Sequence, residues 1–282
     1  MKKAALFTIL FSLLLLSDIN YAQEKSQPFE VKISGKGRQS IIFIPGFACS
    51  GEVWKETKAL FEEKATCYTL TMAGFAGVAP QANASFESWE KAIAGYIKEN
   101  KISKPVIIGH SMGGALAMAL AADYPELISR IVVVDALPCL TALSNPAFVS
   151  KENNDCSAMI AQLTAATDEQ FYQMQKMSMP RLLADTSKLT QVINWSVKSD
   201  RTTFGKMYCD FSNTDLRHKI TRIQCPALVL LESYFVNSKA AITEQFKNAT
   251  TVDMRFATKG LHFIMYDDKD WYETQLKSFI SL

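Results

Sequence analysis

The segment Val106-Ile-Ile-Gly-His-Ser-Met-Gly-Gly114 sets one serine between two glycines, directly after a run of branched aliphatic residues. The aliphatic run reads as a buried strand, and the Ala- and Leu-rich stretch 112–124 as a helix that stops before Pro125. Ser111 therefore falls on the turn between them. Gly-x-Ser-x-Gly in that setting is the pattern of a nucleophile elbow, a strand-to-helix turn sharp enough to expose a hydroxyl and to demand small neighbours. Gly109 and Gly113 supply those neighbours, and Gly114 lets the helix pack closely. The same turn leaves the backbone N–H of Met112 at a helix N-terminus, where it can stabilise developing negative charge.

A hydroxyl is a weak nucleophile until a base removes its proton. The chain holds three histidines. His110 adjoins the serine and is expected to point elsewhere. His218 lies in the polar stretch Asp215-Leu-Arg-His-Lys219 and reads as a surface residue. His262 follows the last strand-like run by a short loop and precedes the C-terminal helical pattern.

These groups need a scaffold. Strand-like runs occur at 29–33, 40–44, 67–71, 106–108, 131–134, 227–231 and 251–256, several of them continuous in Val, Ile and Leu, as in strands covered on both faces. Helical patterns lie between them. Over 88–100 the apolar Trp89, Ile93, Tyr96 and Ile97 form one stripe, and over 268–282 Trp271, Leu276, Phe279 and Ile280 lie near one face. Alternating strands and helices imply a mostly parallel, doubly wound α/β sheet. Residues 139–220 break the alternation: they contain no convincing strand, and Met159, Met174, Met177, Met179 and Met207 accumulate there among Leu, Phe and Trp. A helical insertion is expected, sitting over the carboxyl ends of the strands. Its methionines read either as core filler or as a deformable apolar wall over a pocket.

Ile44-Pro-Gly-Phe47, the serine turn, Arg130-Ile-Val-Val-Val-Asp135, Cys225-Pro-Ala-Leu-Val-Leu230 and Leu261-His-Phe-Ile-Met265 together resemble the α/β-hydrolase family. The resemblance covers nearly the whole chain after residue 22. It implies a core of 23–138 and 221–282, with 139–220 as a helical cap. The chain is also similar to uncharacterised exported members carrying Val134-Asp-Ala-Leu-Pro138 and His262-Phe-Ile-Met-Tyr-Asp-Asp268. The family order of serine, acid and histidine implies Ser111 as nucleophile and His262 as general base. The acid departs from the commoner pattern, which places Asp a few residues beyond 227–231; this chain reads Glu232-Ser-Tyr-Phe-Val-Asn237, with Phe235 near the expected slot. Some members take the acid from the strand after the elbow helix, which here is Asp135. Asp135 is therefore preferred and Glu232 is the runner-up, while the plain alternative for Asp135 is a loop-capping aspartate. By the same resemblance the backbone N–H of Phe47 joins that of Met112 in an oxyanion hole, with Pro45-Gly46 where relatives often read His-Gly. Ser50, Glu52 and Trp54 follow in the same loop and read as the start of a surface helix, with the alternative that one of them faces the pocket.

The resemblance implies a serine hydrolase working through an acyl-enzyme; the apolar, Met-rich insertion favours a small or medium hydrophobic ester, while amide, lactone and carbon–carbon bond substrates stay open on the same site. Two alternatives stand beside it: a ligand-binding or sensor protein on the same scaffold, and a cofactor-free perhydrolase or acyltransferase. Dehalogenation is disfavoured, because that chemistry needs a carboxylate where Ser111 stands. No cofactor or metal is implied: the sequence has no HExxH, no Cys/His cluster at ligand spacing and no phosphate loop.

Composition bounds the partners. The chain is 48% hydrophobic and 21% charged, with a net charge of +2, near +1 without the first 22 residues. Such balance is that of an ordinary globular protein and gives no reason to invoke nucleic acid or an anionic surface; the partner that the resemblance implies is a small-molecule substrate. Lys2 and Lys3, the apolar run 4–16 and the small Ala22 form the pattern of a secretory signal cleaved after residue 22. A secreted or periplasmic protein without stable membrane insertion is expected. Six cysteines then permit disulfides. Cys67 and Cys225 read as buried strand residues, and Cys139 to Cys156 is the first guess for a bridge.

Overall fold

The computed structural model describes residues 27–281. The expected signal segment 1–22 lies outside the described residues. The chain enters through strands β1 (Phe29–Gly35) and β2 (Gln39–Ile44), a short helix α1 (Lys55–Ala59), β3 (Ala65–Met72), α2 (Phe86–Glu99), β4 (Val106–His110), α3 (Met112–Asp123) and β5 (Arg130–Val134). Four helices follow: α4 (Ser157–Ala165), α5 (Asp168–Ser178), α6 (Thr186–Val197) and α7 (Arg201–Ser212). The chain then closes through β6 (Ala227–Leu231), α8 (Lys239–Phe246), β7 (Val252–Phe256), α9 (Ile264–Asp267) and α10 (Lys269–Phe279). The seven strands form one sheet in the order β1-β3-β2-β4-β5-β6-β7, parallel throughout except for β1, which runs antiparallel to β3.

Continuous apolar strands arise because each face of the sheet is covered. Ile42, Ile44, Ile107, Ile131, Val133 and Val229 pack with α2, α3 and α8 on one side, while Ile41, Phe43, Val106, Ile108, Val132 and Leu228 pack with α6 and α10 on the other. Helix α3 is buried from Met112 to Ala122, so it carries apolar residues all round instead of one stripe.

Some boundaries differ from the sequence reading. Helix α2 starts at Phe86 because Ser85 caps it, its hydroxyl accepting from Ser88 N while Ser88 Oγ accepts from Ser85 N. The C-terminal helical pattern 268–282 forms α10, ending at Phe279, and a short helix α9 that the pattern did not include precedes it. The turn Gly51–Trp54 starts as expected at an outer position, with Ser50 as its cap and Glu52 paired to Lys32, but Trp54 is fully buried against Phe43.

The disulfide joins Cys156 to Cys209, not Cys139 to Cys156. Cys139 is free and buried directly after β5, its N–H donating to Gln245 Oε1 at 3.0 Å, whereas Cys156 caps α4 beside α7, which carries Cys209. Cys67 and Cys225 are free and buried. The methionines divide: Met207 is core filler, Met177 is largely exposed, and Met159, Met174 and Met179 line a cavity. Among the described residues no helix is long and apolar enough to cross a membrane.

Candidate active site

A cavity of about 620 Å³ lies between the carboxyl ends of β4, β5 and β6 and the four helices α4 to α7. Ser111, Asp135, His262, Glu232 and Phe47 all line it. Ser111 holds φ 54° and ψ −123°, a left-handed backbone that a non-glycine residue adopts only under constraint. The constraint is visible in the main chain. Ser111 N donates to Val134 O at 2.8 Å, and Ser111 O accepts from Gly114 N at 2.8 Å. Side chains on the flanking residues would break the turn, since a Cβ on Gly109 would stand 2.1 Å from Gly113 O and one on Gly113 would stand 2.3 Å from Ile44 O.

Asp135, one residue beyond β5, has a second forced dihedral, φ 51°. Its N–H donates to Leu230 O at 2.7 Å, which fixes it to β6. Its carboxylate is almost fully buried; Oδ1 accepts from Glu232 N at 2.6 Å, and Oδ2 pairs with His262 Nδ1 at 2.6 Å. An ionised carboxylate only accepts, so Nδ1 carries the proton and Nε2 is left with its lone pair. Both carboxylate oxygens are thereby used.

Glu232 stands beside this pair but approaches it through its backbone N–H. Burial, reinforced by the charge of Asp135, pushes its carboxyl up to about 7. Phe235, at the slot the sequence pattern indicated, lines the cavity as an apolar wall.

His110 does not turn away from the site. Its ring lies 4.6 Å from that of His262, and Nε2 donates to the main-chain oxygen of His262 at 3.0 Å. That bond assigns the proton to Nε2. Burial, and then the neighbouring His262, hold its pKa well below the usual imidazole value, so it is a neutral prop under the loop that carries His262. The sequence signal for it was only its place beside Ser111. His218 is exposed and is not among the residues that line the cavity.

The Phe47 turn approaches the serine closely: a Cβ on Gly46 would lie 3.2 Å from Ser111 Cβ and 2.7 Å from His110 Nδ1. Among the described residues the Phe47 N–H donates to no backbone carbonyl, and the Met112 N–H, first in α3, has no intrahelical acceptor. The Phe47 ring packs on Phe204 and Tyr208 of α7 at 4.5 and 5.7 Å, so the helices above and the turn below share one contact. The roof also holds a polar pair that no sequence motif signalled: Ser196 Oγ donates to Gln175 Oε1 at 2.7 Å.

A family model described as alpha/beta hydrolase fold matches residues 39–268. The chain belongs to the α/β hydrolase fold family. Within that family it is 24% identical over 202 residues to a pimeloyl-acyl-carrier-protein methyl ester esterase of Vibrio cholerae, covering 71% of this chain and 76% of that protein. Among solved structures it is similar to the enol-lactonase of Burkholderia xenovorans, with a TM-score of 0.74 at 16% identity over 90% of this chain and 96% of that one. It is also similar to an esterase of Exiguobacterium antarcticum, with a TM-score of 0.72 at 15% identity over 89% and 94%. At those identities the structural likeness establishes the α/β hydrolase fold alone.

Proposed function

We propose that this α/β hydrolase is an exported serine esterase acting on small or medium hydrophobic esters. The observation that carries the reading is the 2.6 Å pairing of Asp135 with His262 at the wall of the cavity into which Ser111 opens. In the proposed reaction Ser111 Oγ attacks the ester carbonyl while His262 Nε2 takes its proton. Asp135 holds the ring in that tautomer and stabilises the imidazolium. The N–H groups of Phe47 and Met112 receive the oxyanion. Collapse of the tetrahedral intermediate expels the alcohol, which takes the proton from His262. Water, deprotonated by the same ring, then attacks the acyl-serine and releases the acid.

Substrate class follows from the wall. Leu163, Met174, Met179, Val192, Phe204 and Phe235 offer an apolar surface, and about 620 Å³ accommodates a medium acyl or alkyl chain. The esterase names of the relatives support the ester bond as the target. Export is supported by the residue pattern at 1–22 and by the Cys156–Cys209 disulfide. The test is turnover of p-nitrophenyl esters from acetyl to dodecanoyl by the protein and by Ser111→Ala. Hydrolysis that peaks at short or medium chains and vanishes in the variant is expected; a folded protein inactive across the series would overturn the reading.

A further inference from the structure

The reaction above uses His262 but leaves Asp267 and Asp268, which end the His262-to-Asp268 motif, without a part. The two carboxylates sit side by side in sequence and hold different things. Asp268 is buried at the start of α10, and its Oδ2 accepts from Thr258 N at 3.0 Å, Thr258 Oγ1 at 2.7 Å and Lys259 N at 3.3 Å. Its carboxylate ties the loop that carries His262 back onto the exit of β7. Asp267 faces two ways. Its Oδ2 accepts from Leu261 N at 2.9 Å, the residue before His262, and its carboxylate also accepts from Ala184 N at 3.1 Å and Asp185 N at 2.8 Å.

Ala184 and Asp185 belong to the roof. They follow Met179, Arg181 and Leu182, which line the cavity, and Asp185 caps α6, which presents Val192 and Ser196 to the same cavity. A second link runs parallel to the carboxylate, with Phe263 N donating to Leu182 O at 3.2 Å. The backbone is shaped to admit Asp267: Gly260 holds φ 89°, and a Cβ there would stand 2.5 Å from Asp267 Cβ. One carboxylate therefore joins the wall that a substrate chain would press on to the residue before the base.

We propose that Asp267 is a positioning residue that makes wall segment 181–185 and the His262 loop one rigid piece, so that a chain filling the cavity holds His262 in place. This rests on the reading of His262 as the base. A long acyl chain braces the wall and, through Asp267, the imidazole; an acetyl group fills little of the cavity and does not. Part of the preference for longer esters then resides in kcat as well as in KM. A carboxylate that only stabilised the fold would alter stability and leave the chain-length preference unchanged.

The test compares p-nitrophenyl acetate with p-nitrophenyl octanoate for the protein, Asp267→Ala, Asp268→Ala and His262→Ala, each checked for folding by circular dichroism. The protein is expected to turn over octanoate with the higher kcat. Asp267→Ala is expected to lose that kcat advantage and to fall about tenfold on acetate. Asp268→Ala, which leaves the wall untouched, is expected to lower both esters by one factor and keep their ratio. If Asp267→Ala does not fold, Asp267→Asn, which keeps one accepting oxygen, is expected to show the same loss of ratio in weaker form. An unchanged octanoate-to-acetate kcat ratio in the folded Asp267 variant, or no kcat advantage in the unaltered protein, overturns the proposal while an inactive His262→Ala leaves the base assignment standing. Full activity of His262→Ala instead removes the base assignment, and this inference with it.

Discussion

The floor of the cavity, at the ends of β4, β5 and β6, is held by main-chain hydrogen bonds and forced dihedrals; the helices of its roof, α4 to α7, are joined to one another mainly by side chains and one disulfide. On the floor Ser111 and Asp135 both keep positive φ, each anchored by its own N–H to the neighbouring strand. In the roof α5 and α6 meet through Gln175 and Ser196, α4 and α7 through Cys156 and Cys209, and methionine fills part of the wall. Backbone constraints hold atoms in a fixed geometry, which the proposed acyl transfer demands. Side-chain packing leaves a surface that can adjust. Under the proposed reaction, chemistry falls to the floor and selection of the substrate to the roof.

The comparison is broken most severely by the groups on the floor. Ser111→Ala or His262→Ala is expected to lower kcat by about 10⁴-fold or more. Asp135→Asn is expected to cost about 10²- to 10⁴-fold with folding intact, since it leaves the ring without its carboxylate. Steady-state kinetics on one ester, with circular dichroism as the folding check, measures both. A greater loss in Glu232→Gln than in Asp135→Asn would transfer the acid to β6. At the backbone level, Gly113→Ala drives a Cβ against Ile44 O and is expected to destabilise by about 3 kcal/mol, read as a lower denaturation midpoint.

Sequence legibility follows the same division. The aliphatic strands, Gly109, Ser111 and Gly113 were readable because backbone geometry restricts which residue types can stand there. Sequence pattern does not separate Asp135 from Glu232, because both follow a strand end and only the three-dimensional register shows that Asp135 offers its carboxylate to His262 while Glu232 offers its N–H to Asp135. The bridge differs from the first guess for a related reason: Cys139 is nearer than Cys209 to Cys156 in sequence, but it is buried in the segment after β5, while α4 and α7 pack side by side. His110 was expected to point elsewhere because its support of the His262 backbone is a contact across 152 residues that no local pattern encodes.

Smaller perturbations sharpen the comparison. Replacing Cys156 and Cys209 by serine opens a link spanning 53 residues and is expected to cost about 2–4 kcal/mol. It should change the preference among acyl chains while leaving acetate turnover within about threefold; equal losses on every ester would place the disulfide with the chemistry instead. Smallest is the effect of Glu232→Gln on stability. The Glu232 carboxyl, raised from 4.5 to about 7, stays protonated in the folded state where the unfolded chain has lost the proton. Its contribution is complete below pH 4.5 and is lost as pH rises through 7. The variant should therefore gain about 1 kcal/mol over the unaltered protein between pH 5 and pH 8, after allowance for solvent screening. Thermal melts at the two pH values measure it.

The central claim is that the elbow presents an activated serine. Treating the protein with a fluorophosphonate and locating the adduct by mass spectrometry tests it without a substrate. The account predicts one adduct, on Ser111, absent in Ser111→Ala and greatly slowed in His262→Ala. A folded protein that takes no label, or labels Ser111 equally fast without His262, would contradict it.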